Sequence, residues 1–173
     1  MGVRRGVEIG TIAPTDSLQE LTRLLHAAYA ELGAMGLNYT AVDQPVEVTE
    51  KRVRAGVCFV AVAAGSIVGT IAVEPPVDDP ACPYFAQPSV ASAHQLAVAP
   101  AYQRKGIGSR LLKRAESWAL ANGYSELVLD TAEPARHLVA LYGRLGYGHV
   151  GFVQWEAKAY RSVLMAKRLK HAA

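Results

Sequence analysis

Residues 94–108 read His94-Gln-Leu-Ala-Val-Ala-Pro-Ala-Tyr-Gln-Arg-Lys-Gly106-Ile-Gly108: an apolar strand, a basic turn, and two glycines that open a helix. The helix carries Ile107, Leu111, Leu112, Ala115, Trp118 and Ala119 at helical spacing and stops at Asn122-Gly123. The turn therefore aims a helix N-terminus, with its unpaired N–H groups and positive dipole end, out of the carboxyl end of a strand. Gly106 and Gly108 carry no Cβ, so an anion can approach those N–H groups closely. Arg104 and Lys105 add charge beside them. A diphosphate suits such a turn.

Three anion-binding patterns compete for this stretch. A P-loop needs Lys-Ser or Lys-Thr after the second glycine of a longer loop, whereas Ser109-Arg110 follow Gly108. A dinucleotide fingerprint needs a third small residue where Leu111 stands, although Asp130 lies at a fitting distance at the end of the next strand. It would also turn from strand straight into glycine, without Pro100 to Lys105 between. The third pattern is Gln/Arg-x-x-Gly-x-Gly/Ala, present as Gln103-Arg104-Lys105-Gly106-Ile107-Gly108. It resembles the pyrophosphate loop of the GNAT superfamily of acyl-CoA-dependent N-acetyltransferases. A plain helix start with solvated charges explains the same six residues, so a second motif has to decide.

That motif comes about thirty residues on, as Leu141-Tyr142-Gly143-Arg144-Leu145-Gly146-Tyr147. It resembles the Leu-Tyr-x-Lys/Arg-x-Gly-Phe/Tyr that closes the acyl-CoA module of the same superfamily. Between the two lies Glu126-Leu-Val-Leu-Asp130, an apolar run suited to a buried parallel strand. Two motifs in the right order, with matching elements between them, are far more specific than either alone. The resemblance covers residues 94–150 by motif and the remainder by element order.

With 173 residues the chain is expected to form one domain, 1–173, long enough to bury a substantial core. Apolar residues make up 51% and charged residues 19%, the balance of a globular protein. The 18 basic residues are offset by 15 acids and no basic run is interleaved with aromatics, which argues against a nucleic-acid partner. Lys167-Arg168-Leu-Lys170 reads as a solvated strand end and tail. Cys58 and Cys82 have neither metal-ligand nor disulfide-framework spacing, and Cys58 reads as core. Without a signal or spanning segment, no membrane association is expected and the cytoplasm is the default location.

Val7–Ile12 reads as a strand, and Ser17-Leu-Gln-Glu20 is a capping box for a helix running to Gly33 with Leu18, Leu21, Leu25, Ala28 and Leu32 on one face. Residues 34–48 read as irregular and Thr49–Ala55 as a short helix. Val57–Ala63 and Ile67–Val73 form a hairpin about Ala64-Gly65-Ser66. Residues 75–89, with five of the nine prolines, are a long loop. Ser89–Ala99 is the central strand, and Tyr147–Trp155 and Tyr160–Leu169 close the sheet. The order β-α-α-β-β-β-α-β-α-β-β matches the GNAT fold: an α/β (α+β) architecture with a mixed, mostly antiparallel sheet of six to seven strands and helices on both faces.

The resemblance implies an enzyme that moves an acetyl group from acetyl-CoA, as cosubstrate and without a metal, directly to a primary amine. A non-catalytic acyl-CoA-binding or sensor module is the alternative. It implies a pantetheine arm running along the main chain of Leu96, Ala97 and Val98, and a pyrophosphate held by Gln103, Arg104, Lys105, Gly106, Ile107, Gly108 and Ser109. It also implies that Tyr142 donates a proton to the departing thiolate, which a phenol of pKa about 10 can do at neutral pH. Packing in the core is the other reading of Tyr142. Ala135 stands where the family often has an asparagine contacting the coenzyme.

For the base, His94-x-Leu-Ala-Val resembles the strand of aralkylamine N-acetyltransferases in which a histidine pair helps deprotonate the amine. His94 matches the second of the pair and Ser92 replaces the first. Glu31, Glu47 and Glu50 are alternatives. His26 reads as structural. Tyr29, Tyr39, Tyr84, Phe85 and Trp155 are either an aromatic acceptor pocket or ordinary packing, and nothing separates a small amine from a peptide N-terminus or a lysine side chain. The closing strands allow, by resemblance alone, a homodimer.

Overall fold

A computed structural model describes residues 6–171. The elements are β1 (Glu8–Thr11), α1 (Leu18–Ala34), α2 (Thr40–Asp43), α3 (Val46–Arg54), β2 (Val57–Ala63), β3 (Ser66–Glu74), β4 (Val90–Val98), α4 (Ile107–Ala121), β5 (Glu126–Ala132), α5 (Arg136–Arg144), β6 (Gly148–Val153) and β7 (Ser162–Arg168). The strands form one seven-stranded sheet in the order β1-β2-β3-β4-β5-β7-β6. Only β4 and β5 run parallel, joined by α4 as a parallel pair requires. This is the mixed, mostly antiparallel architecture expected.

Strand alternation sorts the apolar side chains onto two faces. Phe59, Ile71, Val73, Ala91, Ala93, Leu127 and Leu129 pack against Leu111, Leu112 and Ala115 of α4, with Tyr142 of α5 and Leu145 just after it at the margin. Cys58, Val60 and Ile67 face the other way, onto Leu21 and Leu24 of α1. Phe85, in the 75–89 loop, packs on that second face against Val90, Val128 and Leu164. Ser17 caps α1 as the capping box predicts, accepting from the Glu20 N–H at 3.2 Å.

Three expectations are corrected. Helix α1 passes Gly33 and ends at Ala34, with Gly36 in the left-handed conformation that stops it. The stretch read as irregular contains α2, and α3 starts at Val46 rather than Thr49. The β-branched run Val46-Glu-Val-Thr49 has modest helix propensity, but tertiary hydrogen bonds override it. Thr49 is fully buried, bonded through Oγ1 to Thr22 Oγ1 at 2.7 Å and Gln44 Nε2 at 2.8 Å. Finally, Lys167 is not simply solvated: its Nζ lies 3.0 and 3.1 Å from the Glu116 carboxylate oxygens. Among the described residues no helix is long and apolar enough to cross a membrane.

One feature of the sheet creates a site. β4 and β5 pair only through Val90↔Glu126, Ala91↔Leu127 and Ser92↔Val128. Beyond Ser92 the two strands part, leaving a cleft through the middle of the sheet.

Candidate active site

The β4 edge of this cleft is main chain. The Ala99 N–H donates to Val68 O at 2.8 Å, toward β3. By alternation Ala97 also faces β3, where it pairs with Thr70, while Leu96 and Val98 turn their N–H and C=O groups into the cleft. The β3–β4 register shifts between Thr70 and Ala72, opposite Gln95, whose φ of +55° marks a bulge. Tyr29 Oη donates to Leu96 O at 3.0 Å and Gln103 Nε2 to Val98 O at 3.1 Å. The carbonyls are thus held by the protein, and the N–H groups of Leu96 and Val98 offer a ladder edge to an extended ligand. Gln103 is brought to the strand end as a brace.

At the end of β4 the chain turns into α4. Arg104 and Gly106 both take left-handed backbone conformations, with φ of +60° and +77°. Gly106 caps α4 without any side-chain hydrogen bond, and Arg110 is the first residue of the helix to bond back, to Gly106 O at 3.1 Å. The preceding N–H groups therefore point out of the helix end. A Cβ built at Gly106 would meet nothing within 4 Å, so the space before the helix is open. Ile107 is the anchor, 2% exposed in the core beneath. Lys105 Nζ folds back onto Ala101 O at 3.1 Å and over the Tyr102 ring.

The two glycines separate two effects. Any side chain at Gly106 is strained by its positive φ. At Gly108 a Cβ would only touch Val98 Cγ2, at an ordinary 3.7 Å. Gly108→Val should therefore leave the fold intact, while its bulk stands before the N–H groups. Its affinity for acetyl-CoA should drop by about 10–100-fold, the worth of one or two charge-assisted hydrogen bonds. Unchanged affinity by calorimetry in a variant of normal melting temperature would remove the turn as a phosphate cradle.

Tyr142 sits half-buried on α5, its ring edge-on to Tyr147 with centroids 6.3 Å apart. Among the described residues its hydroxyl makes no hydrogen bond, yet no buried side-chain oxygen or nitrogen lacks a partner. The hydroxyl is therefore open to solvent rather than sealed in the core. Burial of the ring, with Tyr39 and Asp130 nearby, raises its pKa, so the phenol stays protonated at neutral pH. Ala135 is buried at the start of α5 and offers no capping side chain.

On the α1 and α3 side of the cleft stands His94. Its Nε2 lies 2.8 Å from Ser92 Oγ and 3.6 Å from Glu74 Oε2. Glu74 Oε1 in turn lies 3.7 Å from Arg52 Nη1. The residue that replaces the first histidine of the resembling pair is thus the hydrogen-bond partner of the second. Burial, with the Arg52 charge beside it, lowers the His94 pKa to about 3, so the ring is neutral at neutral pH. Burial shifts Glu74 the other way, raising its pKa against the pull of Arg52 and Lys51. Glu74 was not singled out from the sequence. Its signal was the hairpin register that sets it opposite Ser92.

A stability test follows from the imidazole. Between the unfolded His pKa of about 6.5 and the folded value of about 3, the unfolded chain binds a proton that the native state refuses. Stability should therefore be full above the unfolded value and fall as the solution is acidified through this window. From pH 6.5 to 5, urea unfolding should show wild type losing about 2 kcal/mol more than His94→Gln. Parallel losses in the two proteins would contradict a neutral, buried His94.

The remaining candidates divide. Phe85 lies edge-on to His94 and stacks with Trp155 at 5.9 Å, and Trp155 Nε1 donates to Asp130 Oδ2 at 2.9 Å. Tyr29, Tyr39 and Tyr160 form a second wall, in contact at ring separations of 5.5 and 5.2 Å. Tyr84 turns to Glu126 at the paired end of β5, away from the cleft. Of the alternative bases, Glu31 and Glu47 are exposed and Glu50 pairs with Arg54 at 2.6 Å. His26 accepts a structural role, 2.8 Å from Gln44 O.

The family model described as Acetyltransferase (GNAT) family matches residues 19–147. The chain is 29% identical over 155 residues to S-(2-succino)cysteine N-acetyltransferase of Bacillus subtilis (strain 168), covering 88% of this chain and 91% of that protein. The crystal structure of a GNAT family acetyltransferase from Elizabethkingia anophelis with acetyl-CoA bound superposes with a TM-score of 0.69 at 18% identity, over 95% of this chain and 99% of that one. The ribosomal-protein-S18-alanine N-acetyltransferase of Escherichia coli gives 0.72 at 17% identity, over 97% of each. At such identities the structural likeness speaks for the fold.

Proposed function

This chain belongs to the GNAT acetyltransferase family, and from that premise we propose that it transfers an acetyl group from acetyl-CoA directly to a small primary amine. The observation that carries the reading is the split of β4 from β5. Beside it lie the free edge of Leu96 and Val98 and the N-terminus of α4, and this reading sets the Tyr142 hydroxyl, which has no protein partner among the described residues, toward the same cleft. The N–H groups of residues 104–109 suit the coenzyme's pyrophosphate, and the strand edge at Leu96 and Val98 suits its amide-bearing arm. The Bacillus subtilis relative bears the name of an acetyltransferase for a cysteine derivative, which supports a small amine over a peptide N-terminus or a lysine side chain.

The coenzyme supplies an activated acyl carbon. The chain supplies two proton-handling groups on opposite sides of the cleft. A C–N bond forms as the C–S bond breaks, and Tyr142 gives its hydroxyl proton to the sulfur. The proton shed by the amine goes to the Glu74 carboxylate, beside which His94 and Ser92 form a hydrogen-bonded pair. With its pKa raised, Glu74 is better matched to this role than the imidazole. His94 is then a positioning residue. Calorimetry with acetyl-CoA, and with nucleoside triphosphates and NAD as controls, tests the reading. It predicts binding of the first alone, and thiol release that depends on added amine. A chain that binds the controls instead, or binds acetyl-CoA without amine-dependent release, refutes it.

A further inference from the structure

Arg52 does something in this cleft that acetyl transfer by itself does not require. It sits in the last turn of α3, and its guanidinium reaches the Glu74 carboxylate at the end of β3, whose other oxygen faces His94. The contact is loose, 3.7 Å to one nitrogen, and among the described residues Arg52 donates no hydrogen bond. Its side chain is 32% exposed, so among the described residues the guanidinium donors are not committed to any protein acceptor beyond the loose contact with Glu74. By contrast Arg161 is clamped on Glu133 through two bonds of 2.9 Å. From the opposite side, on the β6–β7 connection, comes Lys158, held by Asn38 O at 2.8 Å and Thr40 Oγ1 at 3.0 Å. The Arg52 charge lowers the His94 and Lys158 pKa values and works against the rise at Glu74 and Asp130, groups on four different segments.

The cleft therefore presents two cations, Arg52 and Lys158, interleaved with two carboxyl groups, Glu74 and Asp130. A simple alkyl or aryl amine would use the acids and leave the guanidinium idle. A zwitterion uses both signs. We propose that Arg52 receives a carboxylate of the acceptor, and hence that the acceptors are free amino acids or closely similar amines that carry a carboxylate. Guanidinium is the group for this, because its planar fork matches the two carboxylate oxygens. The ammonium end then lies toward Glu74, where it must lose its proton. Lys158 adds charge on the far wall.

This inference rests on the acetyltransferase reading above, and its test keeps the two apart. L-Methionine, L-aspartate and S-carboxymethyl-L-cysteine are each compared with the corresponding decarboxylated amine, with rates referred to the neutral-amine fraction. For at least one pair, wild-type kcat/KM should favour the amino acid by about tenfold or more. Arg52→Gln should lose about 10–100-fold more on the amino acid than on its decarboxylated partner, any loss shared by both reporting its contact with Glu74. Arg52→Lys should recover part of that loss, and acetyl-CoA affinity should be the same in all three proteins. Equal wild-type rates on both members of every pair, or an equal loss on both in Arg52→Gln, overturn the assignment while leaving the acetyltransferase intact. If no amine is acetylated, the acetyltransferase reading is what fails. Calorimetric binding of the three amino acids then decides the role of Arg52: binding lost in Arg52→Gln upholds it, and binding that is absent or unaltered refutes it.

Discussion

Replacing Tyr142 with phenylalanine should lower kcat by about 10²–10⁴-fold while leaving acetyl-CoA affinity within about twofold. The substitution removes one oxygen and keeps the ring that packs against Tyr147. No protein hydrogen bond is lost, because the hydroxyl makes none, so stability should change little. What disappears is the proposed proton donor for the sulfur, an interaction that would be made as the C–S bond breaks. Such a loss lowers kcat and kcat/KM together. Steady-state thiol release, with coenzyme affinity from calorimetry, checks it. A Tyr142→Phe enzyme with kcat near wild type would take the acid role from this residue, and one that had lost coenzyme affinity instead would make Tyr142 a binding group.

The largest effect on folding is expected at Gly56, far from the phosphate turn. This glycine lies between α3 and β2 with an ordinary φ, so backbone conformation is not the issue. A Cβ added there would fall 2.0 Å from Val73 O and 3.0 Å from Glu74 Cα. Both are backbone atoms of β3, a strand fixed by β2 on one side and β4 on the other. No side chain can swing away, so the sheet itself must move. Gly56→Ala should cost about 3 kcal/mol or more, lowering the melting temperature by roughly 6–12 °C. The atoms displaced belong to Glu74 and its neighbour, so turnover should suffer beyond the stability loss. A melting temperature within about 2 °C of wild type would contradict this packing.

How much was legible in the sequence depended on how local each cause is. The glycine turn before α4, the buried face of α4 and the helix carrying Tyr142 are set by residues within one or two helical turns, and these elements stand in the structure where the pattern puts them. The cleft is not local. It arises because β4 and β5 stop pairing after Ser92 and because Gln95 bulges, neither of which leaves a mark in composition or periodicity. Glu74 fell between the expected strand Ile67–Val73 and the loop 75–89, and only the β3–β4 register sets it beside His94. Arg52 falls within the helix on either reading, and only tertiary packing sets it against Glu74, while the earlier helix start depends on the bonds to Thr49 from Thr22 and Gln44. Asp130 drew notice for its distance from a glycine turn, and its actual neighbours are Trp155 and the cations across the cleft.

The account stands most directly on product analysis after incubation with acetyl-CoA and an amine acceptor. Free thiol and N-acetylated amine should appear in equal amounts, with no product when either substrate is left out. Thiol released without amide would mean that water, not an amine, takes the acyl group, and coenzyme bound with neither product formed would mean a binding module. Either result would contradict an acetyltransferase that uses this cleft to join an amine to an acetyl group.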